Sequence, residues 1–158
     1  MIILGLDPGS ARTGYGIIEK RRGSKLECTT YGCITTPQSK SNPARLLYLE
    51  KELMAVLKRY RPDAAAVESL FFFKNLKTVM PVSEARGVIL LTLARRKIPI
   101  YEFSPLQVKM AVVGYGRAEK KQVQRMVKEI LNLASIPKPD DASDALGVAI
   151  ACSLVVKS

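Results

Sequence analysis

The chain has 158 residues, 47% of them hydrophobic, and 25 lysines and arginines against 14 aspartates and glutamates give it a formal net charge of +11. That length supports one hydrophobic core without staples, and no apolar run is long enough to span a membrane. The absence of histidine excludes Ser-His-Asp and Cys-His catalysis, imidazole bases and histidine-ligated zinc, which leaves carboxylates, lysines, hydroxyls and bound metal.

Residues 2–7 read as an opening strand, with Ile3, Gly5 and Asp7 on one face and Ile2, Leu4 and Leu6 on the other. Pro8-Gly9-Ser10 turns the chain. Strands follow over residues 13–19 and 26–35, joined by Lys20-Arg21-Arg22-Gly23-Ser24-Lys25, so the chain begins as an antiparallel meander. Ser41-Asn42-Pro43 supplies a cap and a first-turn proline, and Leu46, Leu49, Leu53, Val56, Leu57 and Tyr60 recur at helical spacing until Arg61-Pro62. Residues 63–68 form a short apolar strand. Beyond Phe71-Phe72-Phe73-Lys74 a helix runs to about Arg96, kinked or begun at Pro81. Residues 98–103 make a fifth strand, and Ser104-Pro105-Leu106-Gln107 opens a capped helix reaching Val113. Gly114-Tyr115-Gly116 is a tight turn, residues 118–133 a basic amphipathic helix, and residues 141–155 the last helix. No repeat or linker interrupts this order, so a single mixed α/β domain over residues 1–158 is expected.

The first residues lack a basic leader region and reach Asp7 at once, so no signal peptide is expected and the chain belongs in the cytoplasm. Cys28 and Cys33, five apart in a strand, are expected on opposite faces and unpaired, and Cys152 in an apolar helix is expected to be a buried thiol. A basic chain with no membrane anchor points to nucleic acid as its polyanionic partner, ahead of an acidic protein surface.

Against that positive background the carboxylates stand out. Asp141 and Asp144 are three apart, on one face of a helix at its N-terminus, where two like charges repel unless a divalent cation joins them; Mg²⁺ and Mn²⁺ accept such hard oxygen ligands. On this segment alone a plain helix cap that complements the dipole fits as well. Asp7 closes the first strand and Glu68 the fourth. If those strands are adjacent and parallel, the two acids meet at one rim of the sheet, and the last helix lies across it.

Leu4-Gly5-Leu6-Asp7-Pro8-Gly9, Thr13-Gly14-Tyr15-Gly16, Val67-Glu68 with Phe71, Glu84-Ala85-Arg86-Gly87-Val88, Gln107-Val108-Lys109, Val112-Val113-Gly114-Tyr115-Gly116, Ala118-Glu119-Lys120 and Asp141-Ala142-Ser143-Asp144-Ala145-Leu146 occur in order over essentially the whole chain. Together they resemble the RuvC family of crossover junction endodeoxyribonucleases. The resemblance implies an RNase H-like fold, a five-stranded mixed sheet with three antiparallel strands and two parallel ones, flanked by helices. It implies a homodimer that binds four-way (Holliday) DNA junctions in recombination and repair and nicks two strands of like polarity, leaving 5′-phosphate and 3′-hydroxyl ends. By the family pattern Asp7, Glu68, Asp141 and Asp144 hold two Mg²⁺ or Mn²⁺ ions, Lys120 lies near the scissile phosphate, and a branch-migration complex of the RuvA/RuvB type is the partner. Asp140, one residue from the pattern, suits the helix N-cap instead.

The expected DNA contacts are Phe71, which matches the family, then Phe73, with Lys74, Lys77, Lys109, Arg117 and Lys121 on the backbone. Three consecutive phenylalanines cannot all turn inward from a loop, and one exposed ring stacks well on an unpaired base. The apolar segment Val88-Ile89-Leu90-Leu91 covers more than one helix face and fits either deep core or a two-fold contact. Two other readings stay open at this stage. Asp7-Pro8-Gly9 with Thr13-Gly14 is also similar to the phosphate loop of actin-like ATPases, and a junction-binding module with structural acids needs no catalysis.

Overall fold

A computed structural model describes residues 1–69 and 76–157. Its strands are β1 (Ile2–Asp7), β2 (Arg12–Lys20), β3 (Leu26–Thr35), β4 (Ala64–Glu68) and β5 (Ile100–Phe103), and its α-helices are α1 (Asn42–Tyr60), α2 (Leu76–Arg95), α3 (Pro105–Val113), α4 (Lys120–Ile130) and α5 (Asp140–Val155). The strands form one sheet in the order β3-β2-β1-β4-β5. β1, β2 and β3 pair antiparallel, whereas β4 runs parallel to β1 and β5 parallel to β4. This is the RNase H-like arrangement that the resemblance implies.

The alternation read in β1 sets two cores. Leu4 and Leu6 point to one side and pack with Leu49, Leu53 and Ile89 of α1 and α2, while Ile3 points to the other, where α5 lies. α5 is buried nearly all round because the sheet covers one side and α3 and α4 the other. A helix in that position carries no polar stripe, which explains its run of alanines and small residues. It approaches the sheet closely enough that a Cβ on Gly5 would lie 2.0 Å from the Ala145 carbonyl oxygen, and one on Gly14 would lie 1.9 Å from that of Asp141. At the far end Lys20 Nζ donates to the carbonyls of Ser153 (2.8 Å) and Val156 (2.9 Å), so a lysine read as hairpin surface closes the C-terminus of α5.

Several boundaries move for local reasons. β5 begins at Ile100 rather than at residue 98, after Pro99, which has no N–H to give a ladder, although its carbonyl accepts from Ala65 N at 2.9 Å. α2 starts at Leu76, so Pro81 lies inside the helix and does not begin it. α4 is shorter than residues 118–133, starting after Glu119, whose N–H donates to Gln122 Oε1 at 2.8 Å. The Ser104–Gln107 capping box of α3 forms as expected.

The two strand cysteines are not on opposite faces. The β2–β3 register slips between Ile17 and Ile18, so that Ile18 faces Cys28 while Gly14 faces Cys33. One extra residue resets the alternation, and both thiols share the α5 side of the sheet. All three cysteines are free, and Cys152 is buried.

Candidate active site

β1 and β4 are adjacent and parallel, with Leu6 opposite Val67. Asp7 and Glu68 are therefore the next residues at neighbouring carboxyl ends, both on the α5 side. The glycine contacts bring the first turn of α5 down on the same rim, and with it Asp141 and Asp144. The four acids expected from the sequence thus converge.

Their electrostatics follow from that convergence. Asp7 keeps partial contact with solvent, yet burial first, then the charges of Glu68, Asp144 and Asp141 and a hydrogen bond with Glu68, push its carboxyl up to about 9 from 3.8. Burial also raises Asp144, against the opposing pull of Lys120. Lys120 Nζ donates to Asp144 Oδ2 at 2.8 Å and lies 3.8 Å from Asp140 Oδ2. Burial works against the Lys120 ammonium, but the hydrogen bond and charge of Asp144, with the charges of Asp140 and Asp7, outweigh it and hold the lysine above its usual range.

Asp140 and Asp141 separate clearly. Asp140 is the first residue of α5, not its N-cap, which is Pro139. Its carboxylate turns outward to Lys138 Nζ at 2.9 Å, and that hydrogen bond lowers its pKa. Asp141 is the neighbour whose charge acts on Asp7.

Sequence reasoning passed over two features here. Arg12 Nε stands 3.2 Å from Asp141 Oδ2, yet that buried oxygen meets no donor in hydrogen-bonding alignment among the described residues. An exposed apolar patch lies on α3 and the turn after it: Leu106, Met110 and Tyr115 are more than half exposed, and Gly116 packs against Leu106. Nothing in the sequence singled out Arg12, one of 25 cations. The i, i+4 spacing of Leu106 and Met110 was legible but reads as core.

Of the expected DNA contacts, Lys77 is exposed at the start of α2, Arg117 and Lys121 are exposed around the start of α4, and Lys109 is half-buried on α3. Phe71, Phe73 and Lys74 lie outside the described residues. Arg86 pairs with Glu102, tying α2 to β5.

The donor set suits hard divalent cations. All four groups are carboxylates, burial and neighbouring acid charges raise the carboxyls of Asp7 and Asp144, and a buried oxygen of Asp141 lacks an aligned donor. Among the described residues no three acids are drawn in around one point as ligands; Lys120 pairs with Asp144, and Arg12 stands beside Asp141. The fit is one of chemistry and position.

A family model described as crossover junction endodeoxyribonuclease RuvC matches residues 3–152. A crossover junction endodeoxyribonuclease RuvC from Caldicellulosiruptor saccharolyticus is 51% identical over 158 residues, covering 100% of this chain and 95% of its own. One from Syntrophomonas wolfei is 55% identical over 95% of this chain and 87% of its own. Among solved structures, Thermus thermophilus RuvC in complex with a Holliday junction substrate superposes with a TM-score of 0.89 at 32% identity, over 96% of this chain and 92% of that one.

Proposed function

The chain belongs to the RuvC family of crossover junction endodeoxyribonucleases, and we propose that it resolves Holliday junctions by paired nicks of two strands of like polarity, with Asp7, Glu68, Asp141 and Asp144 holding two Mg²⁺ or Mn²⁺ ions. It is an endodeoxyribonuclease, and the four-way junction is its substrate. Neither a non-catalytic junction-binding module nor an actin-like ATPase accounts for four carboxylates gathered at one rim, three of them acting on a buried Asp7. The burial of Asp7 beside the charges of Glu68, Asp144 and Asp141, which together push its carboxyl up to about 9, carries the metal reading.

Bound divalent cations would supply the charge that offsets the scissile phosphate and lowers the pKa of the attacking water. The chain does the rest. β1, β4 and α5 fix the carboxylates, and the net +11 charge draws the polyanion to the rim. Lys120, tethered to Asp144, would keep an ammonium at the scissile phosphate. Lys77, Lys109, Arg117 and Lys121 would contact backbone phosphates, and Lys74, Phe71 and Phe73 belong to the same reading. A homodimer matches the two-fold substrate, and the exposed Leu47, Met80 and Leu91 of α1 and α2 support it. The single-domain reading over residues 1–158 rests on one sheet and its covering helices. No helix among the described residues is long and apolar enough to cross a membrane. The same reading puts the enzyme at work in the cytoplasm beside a RuvA/RuvB-type branch-migration complex.

The test is cleavage of immobile and mobile four-way junctions with and without Mg²⁺ or Mn²⁺. Asp7→Asn, Glu68→Gln, Asp141→Asn and Asp144→Asn should each abolish cleavage and leave junction binding equal or tighter, since each removes negative charge facing DNA. Cleavage retained in any two of them would sink the four-acid site. Asp140→Asn should cleave, because its carboxylate faces Lys138.

A further inference from the structure

Arg12 opens β2, two residues before the glycine that lets α5 settle on the sheet. Its Nε lies 3.2 Å from Asp141 Oδ2, with the arginine 54% exposed and the aspartate 28%. That carboxylate oxygen is out of solvent, and no donor is aligned on it among the described residues. The contact is charge facing charge without a directed hydrogen bond. On the neighbouring acid, by contrast, Lys120 makes a directed bond to Asp144 at 2.8 Å. Two cations of the chain therefore stand against the two helix acids, one held firmly and one loosely.

A guanidinium suits this position poorly. Its charge is spread over a planar fork that matches a single carboxylate face to face, whereas Asp141 shares its rim with acids whose charges all act on Asp7. A small divalent ion concentrates twice the charge and accepts oxygens from several directions. An ion pair whose cation is more than half exposed and makes no directed hydrogen bond contributes little to stability, so little holds Arg12 in place once such an ion competes. Solvent exposure of the arginine leaves it room to move aside.

We propose that Arg12 is a displaceable counter-ion of the acid cluster: it holds Asp141 in the metal-free protein, competes with the divalent cation for that carboxylate, and so sets how much free metal the enzyme needs before it is loaded. The inference rests on the four-acid metal site of the preceding subsection. It makes Arg12 a positioning residue for Asp141, distinct from Lys120, whose bond to Asp144 is compatible with a cation alongside.

The experiment titrates Mn²⁺ by calorimetry into the full chain without DNA, comparing the natural protein with Arg12→Gln and Arg12→Lys, and records melting temperatures in chelator and in saturating Mn²⁺. Arg12→Gln should bind Mn²⁺ about three-fold tighter or more, the scale of one exposed ion pair, while Arg12→Lys stays near the natural affinity. In chelator Arg12→Gln should melt lower than the natural protein, and saturating Mn²⁺ should close that gap. Equal or weaker Mn²⁺ binding by Arg12→Gln overturns the proposal, and with a persistent loss of melting temperature it makes Arg12 a clamp between β2 and α5. If the natural protein takes up no Mn²⁺, the metal site itself fails and this inference falls with it; if it binds Mn²⁺ and Arg12→Gln binds no tighter, only the inference fails.

Discussion

Asp7 shows what the proposed site costs the stability of the fold. Its carboxyl is pushed up to about 9 from 3.8 in the folded chain, so without metal the native state binds this proton more tightly than the unfolded state does. Stability must then fall as pH rises between those values, and the whole cost is present only above the higher one. In chelator, Asp7→Asn should melt at the same temperature as the natural protein near pH 4 and above it by pH 8, by at least about 1 kcal/mol or roughly 2–4 °C. A gap of the same size at both pH values would assign the gain to something other than ionisation. Lys120 makes the opposite test of a residue at the same rim. Lys120→Ala should cut the cleavage rate by about 10²–10³, the scale of one lost donor to a developing charge, and change junction affinity only a few-fold. Equal losses of rate and affinity would reduce it to an ordinary phosphate contact.

At the scale of elements, the site depends on how closely α5 lies on β1 and β2. A methyl group at Gly14 would sit 1.9 Å from the Asp141 carbonyl oxygen, so the helix must retreat and take both of its acids with it. Gly14→Ala should cost about 1–3 kcal/mol in denaturant unfolding and abolish cleavage as well. Gly147→Ala is the control on the same helix: there the new atom meets only valine side chains, Val108 nearest at 3.3 Å, and cleavage should stay within a few-fold. If Gly147→Ala were equally inactive, the loss in Gly14→Ala would not report on the close approach. The positions of the acids at strand ends and a helix start, the meander and the capping box were legible because each depends on local chemistry: a strand end, a short polar connection, a serine three residues before a glutamine. The reason for Gly14, the closure of α5 by Lys20 and the shared face of Cys28 and Cys33 were not. Each depends on a partner distant in sequence, and the cysteines turn on a register slip that no alternation pattern reveals.

For the whole molecule, the open question is how two nicks are coordinated. Leu47 is 67% exposed and Leu91 51%, and both line a groove between α1 and α2 whose floor includes Leu46 and Val88. The dimer reading buries these side chains against a second copy. Leu91→Asp should then sediment as a monomer, fold normally, and convert a cruciform plasmid mainly to nicked circles where the natural protein gives linear product. A monomeric natural protein, or a variant that still linearises the plasmid, would remove this face from the dimer.

None of the four acids belongs to a connecting segment: two close strands and two lie in the first turns of a helix held between the sheet and two other helices. On the proposed reading, cutting and choosing are thereby separable in inheritance. If the proposed site holds, substitutions at surface positions that meet DNA should alter which junctions are favoured without moving an oxygen of the four acids, whereas a single methyl group beneath α5 should disable every substrate at once. Lineages should accordingly diverge in what they select long before they diverge in how they hydrolyse it.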